Sequence, residues 1–273
     1  MRIRVAHLYP DYLNIYADRG NIAVFERRAD ARGHALEVTG VEPGHAFDAS
    51  GFDLVYIGGG QDREQALIAP DLVRHAETLA TAVEGGTALL AVCGGYQLLG
   101  RGYRGRDGEW LQGASLFPHE THAGDRRLIG NVLLDVDLDG LQTTVAGFEN
   151  HVGRTVLDPG AQSLGRVVAG HGNDGASGVE GCRLGSAIGT YLHGPLLPRN
   201  PALADWLLSR SLVHAGGDGR LEPLGDELER LAQAVAAGRA RAERKRDAGP
   251  ISVGRRAAGA AGARVGRLRD RRR

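Results

Sequence analysis

Lysine is almost missing from this chain: of 33 Lys and Arg residues, only Lys245 is a lysine. A phosphate-cradling loop of the form GxxxxGK[ST] therefore has no lysine to use, and the body of the chain offers no other phosphate-binding lysine. Any ATP-driven step would need a second polypeptide. Cysteine is scarce too. Cys93 and Cys182 are the only two, which excludes a disulfide framework and fits a reducing, cytoplasmic setting in which a thiol stays usable. No CxxC, HExxH or other compact ligand cluster occurs, so no metal is expected. No run approaches the roughly 18 apolar residues of a membrane span, and Arg2 and Arg4 break up the start too early for a signal-peptide core. Aromatic residues make up 5% and do not interleave with the basic ones, so nothing points to nucleic acid.

What is abundant is glycine, 42 residues, together with alanine and arginine. The formal net charge of zero conceals an asymmetry. Residues 239–273 hold thirteen basic and three acidic side chains, so the preceding 238 residues carry a net of −10. The stretch from Gly249 lacks the apolar residues for a core, and a disordered basic tail is expected there.

Along the chain, apolar spacing predicts strands over 2–8, 34–41, 53–57 and 87–92. Helices are predicted over 20–32, with Ile22, Phe25 and Ala29 on one face, and over 63–83 with an interruption near Pro70. Strands alternating with helices imply a mostly parallel sheet flanked by helices. Shorter apolar stretches separated by Gly and Asp over 131–192 suggest an antiparallel extension, and 201–214 reads as the last helix of the fold. This sets a domain over 1–215. A linker and helix follow over 216–248, with Leu228, Leu231 and Val235 sharing a helix face, and then the tail over 249–273.

The most informative stretch is Ala91-Val92-Cys93-Gly94-Gly95-Tyr96-Gln97. It follows an apolar strand and leads into a helix, with small residues on both sides of the cysteine. Such a turn lifts a side chain out of the end of a sheet. A thiol at a helix N-terminus also feels the positive end of the helix dipole, which favours the nucleophilic thiolate. The competing reading of Cys93 is a buried small hydrophobe. A hundred residues later, Gly189-Thr190-Tyr191-Leu192-His193 is a short strand ending in a histidine before the Gly194-Pro195 turn. Nine other histidines compete to be the base for Cys93. His193 is the best placed, because a strand leads into it, and His151 is second. The Gly58-Gly59-Gly60 run after the strand at 53–57 can supply backbone N–H groups to an oxyanion, as can Gly94 after the nucleophile.

Together these segments resemble the class I glutamine amidotransferases. More closely they resemble the GatD-type subunits of lipid II isoglutaminyl synthase, within the cobyric-acid-synthase-like branch. The resemblance rests on residues 8–21 (LYPDYLNIYADRGN), 58–65 (GGGQDREQ), the Cys93 elbow, 127–131 (RLIGN), 147–151 (GFENH) and 191–198 (YLHGPLLP), and it spans roughly residues 3–215. It implies an α/β, flavodoxin-like fold and a glutaminase whose catalytic residues are Cys93 and His193. It also implies substrate binding by Arg127 and an oxyanion hole from the N–H groups of Gly59, Gly60 and Gly94. Arg126, beside Arg127, reads as an exposed surface charge that spacing cannot separate from it. The chain itself would hold no cofactor. The resemblance further implies a heterodimer with a Mur-ligase-like, ATP-using subunit (MurT) that takes the ammonia and amidates lipid II D-glutamate to D-isoglutamine in peptidoglycan synthesis.

Two departures matter. Ala91 stands where the wider class has glycine, and Pro195 stands where many members carry a glutamate that completes a triad. Cys93 and His193 therefore read as a dyad. Besides a cysteine peptidase on this fold, which would cleave peptides and ignore free glutamine, two alternatives remain. One is the glutaminase part of a cobyrinic or cobyric acid synthase, whose fused nucleotide-binding region has no room upstream of Arg2. The other is a non-enzymatic binding subunit on the same fold.

Overall fold

A computed structural model describes residues 1–15, 19–193 and 196–247. The basic tail from residue 249, the Gly194-Pro195 turn and positions 16–18 of the opening motif lie outside the described residues. In chain order the elements are β1 (Arg2–Leu8), α1 (Arg19–Asp30), β2 (Ala35–Val41), β3 (Leu54–Ile57), α2 (Asp62–Arg74), α3 (Ala76–Glu84), β4 (Ala88–Val92) and α4 (Gly94–Leu98). They continue with β5 (Gly102–Arg104), β6 (Trp110–Gln112), β7 (His119–Leu138), β8 (Leu141–Leu157), β9 (Gly165–Ala169) and β10 (Val179–Glu180). The last are β11 (Cys182–Leu184), β12 (Ala187–Thr190), α5 (Pro201–His214) and α6 (Glu227–Asp247).

One sheet has the order β11-β12-β4-β3-β1-β2, parallel throughout except for the β11 edge. Every residue of β3, β4 and β12 is buried, as expected of continuous apolar runs in a parallel sheet covered on both faces. Cys182 is a buried strand residue of β11 whose thiol is pushed up to about 12 by burial. The helix predicted over 63–83 is broken at His75 rather than at Pro70, which sits inside α2. Pro70 forfeits one backbone bond, but Ile68, Ala69 and Leu72 around it are buried in the core and hold the helix together.

The predicted antiparallel extension is a six-stranded sheet of its own, order β10-β9-β7-β5-β6 with β8 on β7. Its centre is a hairpin with arms of 20 and 17 residues, flanked by the short strands β5, β6, β9 and β10, of which β5 pairs with β7 in parallel. β11 and β12, also inside the predicted stretch, join the first sheet. Asp139 and Gly140, with φ of 57° and 93°, form the hairpin's two-residue turn, the geometry that matches the right-handed twist of paired strands.

Neither does the fold end at α5. α6 lies against β7 and buries Ala236, Ala237 and Ala240 on Leu133, Ala146 and Ala169. The expected face points the other way, with Leu228 78% and Leu231 61% exposed. Polar contacts set this rotation. Glu243 accepts the Asn131 backbone N–H (3.0 Å) and side-chain amide (2.7 Å), and Gln233 donates to the Thr144 carbonyl (2.7 Å). Only small side chains fit between a helix held this close and the hairpin. Buried Arg28 ties α1 to α5 through Asp205 (2.6 Å) and to the start of α6 through Asp226 (2.7 Å).

Candidate active site

Cys93 sits between β4 and α4 with φ 50° and ψ −104°, a strained backbone that only a well-determined surround maintains. Its N–H donates to the Thr190 carbonyl at 2.8 Å, which fixes the elbow to the end of β12. The small residues after it are required by close approach. A Cβ on Gly94 would fall 2.9 Å from the Gly60 N and O, and one on Gly95 would fall 2.8 Å from the Gly58 carbonyl oxygen. The elbow and the Gly58–Gly60 loop thus meet backbone to backbone. Among the described residues no acceptor takes the N–H of Gly60 or of Gly94. The Gly59 carbonyl accepts the Ile15 N–H at 3.2 Å, and Gly60 lines the cavity. The expectation of a helix dipole behind the thiol is corrected by length: α4 has five residues, so the free amides of its first turn are what the elbow offers to negative charge.

A cavity of about 750 Å³ opens above the elbow, lined by Cys93, Gly60, Gln65, Arg127, Asn150 and His151 among others. Arg127 reaches it because the long hairpin is irregular there. The register passes from Ala123 opposite Gly153 to Leu128 opposite His151, so residues 124–127 face Val152 alone. Such a bulge bends the strand and re-aims its side chains. Arg127 donates to the Asn150 Oδ1 at 2.7 Å and lines the cavity, whereas Arg126 does not.

His193 is fully buried just beyond β12, with its backbone paired to Phe148 of β8 (N–H to carbonyl, 2.8 Å). Thr190 lies opposite Val92 in the parallel β12–β4 pair, so His193 and Cys93 follow the carboxyl ends of neighbouring strands. The cavity surface is formed by His151 rather than His193. The His151 ring stacks on Tyr191, with centroids 3.6 Å apart, and its Nδ1–H donates to the Gly153 carbonyl at 2.8 Å. Burial holds His151 below the usual histidine range. Burial would push the Glu149 carboxyl up, but His151, 3.9 Å away, and hydrogen bonds from the His171 backbone and ring keep it low.

A run of buried polar groups that no sequence pattern singles out starts at the cavity wall. Gln65 donates to the Gly60 carbonyl (3.1 Å) and to Gln97 (3.1 Å); Gln97 donates to the Tyr191 hydroxyl (3.1 Å), which meets Thr155 at 2.7 Å. This run joins the glycine loop, the elbow helix and both sheets. Its only sequence signals are a glutamine four residues after Gln61 and another four after Cys93. Glu180 accepts the Tyr191 N–H at 2.6 Å, and burial pushes its carboxyl up to about 8.

A CobB/CobQ-like glutamine amidotransferase domain matches residues 4–201. The chain belongs to that family of glutamine amidotransferases. Within it, this amidotransferase is similar to "Lipid II isoglutaminyl synthase (glutamine-hydrolyzing) subunit GatD" of Staphylococcus aureus (strain N315), 36% identical over 243 residues, which are 89% of this chain and 98% of that protein. The subunit of the same name from Streptococcus pneumoniae (strain ATCC BAA-255 / R6) is 35% identical, across 86% of this chain and 89% of that one. A cobyric acid synthase of Synechococcus sp. (strain CC9605) is 32% identical over 63% of this chain, and the match spans only 34% of the synthase. Among solved structures, PurLQS from Thermotoga maritima shares the fold, with a TM-score of 0.53 at 15% identity, covering 79% of this chain and 99% of that one. None of the amidotransferase's described helices is long and apolar enough to cross a membrane.

Proposed function

We propose that this amidotransferase is a glutaminase subunit that supplies ammonia to a separate, Mur-ligase-like ATP-using partner for amidation of lipid II D-glutamate in the cytoplasm. The observation that carries the reading is that Cys93, the Gly60 loop and Arg127 open on one cavity in a chain most of whose length matches GatD subunits. The Cys93 thiolate attacks the carboxamide carbon of L-glutamine, and the Gly60 and Gly94 N–H groups stabilise the tetrahedral oxyanion. His193 protonates the departing ammonia, leaving a γ-glutamyl thioester on Sγ. The same ring then takes a proton from water, whose oxygen attacks the thioester to release glutamate and restore the thiolate. Arg127 holds the α-carboxylate through its guanidinium fork. The lack of a phosphate-binding lysine agrees with an ATP step on another chain.

The test is ammonia release from L-glutamine by the full chain, alone and with a co-expressed Mur-ligase-like subunit, ATP and lipid II. Cys93-dependent release coupled to amidated lipid II is the expected result. Release without lipid II amidation would overturn the acceptor, and no release in either setting would overturn the glutaminase.

A further inference from the structure

L-Glutamine is a zwitterion whose ammonium and carboxylate share one carbon. If Arg127 holds the carboxylate, as proposed above, the group that receives the ammonium must lie beside that guanidinium. Among the described residues the cavity wall offers one carboxylate, Asp62. Asp62 is the first residue of α2, directly after Gln61 and the glycine loop, and forms no hydrogen bond or ion pair among the described residues. The other acceptors on that wall are neutral: Asn150 Oδ1 already takes the Arg127 N–H at 2.7 Å, and Gln61, Gln65 and His151 offer no negative charge to an ammonium.

A second cavity, of about 780 Å³, is lined by Tyr103 and Trp110 and shares Asp62, Arg127 and Val152 with the first. Asp62 and Arg127 therefore both line the two spaces. Tyr103 senses them both. Burial pushes its phenol up to about 12, with the charges of Asp62 and Asp107 raising it further and those of Arg106 and Arg127 opposing.

We propose that Asp62 receives the α-ammonium of L-glutamine, so that Asp62 and Arg127 together select an α-amino acid rather than a simple amide. The inference rests on the glutaminase reading of the cavity. The selecting groups come from both halves of the molecule: Asp62 from a helix start in the parallel-sheet layer, Arg127 from the hairpin bulge. Neither touches the reacting carboxamide, so Asp62 acts on binding and not on the chemical step.

The experiment compares ammonia release from L-glutamine and from glutaramate, which keeps the carboxylate and the carboxamide but lacks the ammonium. It uses the full chain with its co-expressed synthetase subunit, as wild type, Asp62→Asn and Asp62→Glu. Asn is well tolerated near a helix start, so the fold is preserved. For L-glutamine, Asp62→Asn is expected to lower kcat/KM by about ten- to a hundredfold, mainly through KM, as for the loss of one charge-assisted hydrogen bond. Glutaramate turnover is expected to stay within about twofold, and Asp62→Glu to recover part of the preference. An equal fall for both amides would make Asp62 merely structural and overturn the inference, as would an unchanged preference. Release that is absent or independent of Cys93 with both amides would overturn the glutaminase reading itself. Cys93-dependent release without a selective Asp62 effect would overturn only this assignment.

Discussion

The two sheets deliver their chemistry to the cavity in different ways. The parallel sheet presents Cys93, and behind it His193, where strands end, and the elbow geometry is dictated within a few residues of chain. The hairpin sheet presents Arg127 in mid-strand, at a bulge that exists only because four residues of one arm oppose a single residue of the other. Strand-end chemistry is local. Bulge chemistry depends on a register set over 20 residues of pairing and on a turn at Asp139-Gly140. The strand-end groups Cys93 and His193 should therefore govern the rate of the chemical step, and Arg127 at the bulge should govern affinity.

The sharpest way to break that division is to remove one group from each half. Cys93→Ala is expected to lower glutamine hydrolysis at least about a thousandfold, with an unchanged circular dichroism spectrum. Arg127→Ala is expected to raise the KM for glutamine about ten- to a hundredfold with kcat within a few-fold, while Arg126→Ala leaves both near wild type. Steady-state kinetics on the three variants reads the contrast directly; a kcat collapse in Arg127→Ala would abolish it.

The seam between the halves is tested by pH. Glu180, in the hairpin sheet, binds the end of β12 and titrates at about 8 when folded, against 4.5 for a free side chain. Between those values the unfolded chain releases a proton that the folded chain keeps, so stability falls as pH rises across that window. Glu180→Gln is expected to remove this fall, gaining a few kcal/mol over wild type at pH 8 relative to pH 5, measured by urea denaturation. His119 acts in the opposite direction. Burial holds it near 3, so the stability it contributes is lost as pH drops from 6.5 towards 3.

Smaller effects sharpen the contact between elbow and loop. Gly94→Ala places a methyl 2.9 Å from Gly60 backbone atoms that cannot swing aside, and a cost of about 1–3 kcal/mol is expected in thermal or urea unfolding, together with lost turnover. The smallest expected effect is on α6. Leu231→Gln, on its exposed face, should shift stability by less than about 0.5 kcal/mol. Ala240→Leu, against Leu133 and Ala146, should cost about 1–3 kcal/mol. A large cost at Leu231 with none at Ala240 would mean that the helix is turned the other way.

The centre of the first sheet was legible in the sequence because β3 and β4 are short apolar runs ending at glycine or a small residue, and the alternation with helices has few parallel solutions; β11 and β12 fell in the stretch read as an antiparallel extension. The cavity's other wall was legible only in part. Arg127 stood out through family resemblance, but its separation from Arg126 depends on the bulge. The tie through Gln65 and Gln97 is polar and buried, a pattern without periodicity. α6 was read as a helix with the wrong face inward, because leucines mark a core face only where there is room for them.

The sequence by itself determined the parallel core, the strained elbow at Cys93 and the need for glycine around it, since local sterics and apolar periodicity act within a few residues. Tertiary structure alone decided which arginine meets the cavity, that His151 and not His193 forms its surface, and that alanines rather than leucines seat α6. Those outcomes follow from strand register, close packing and buried hydrogen bonds between segments far apart in the chain, which no local pattern encodes.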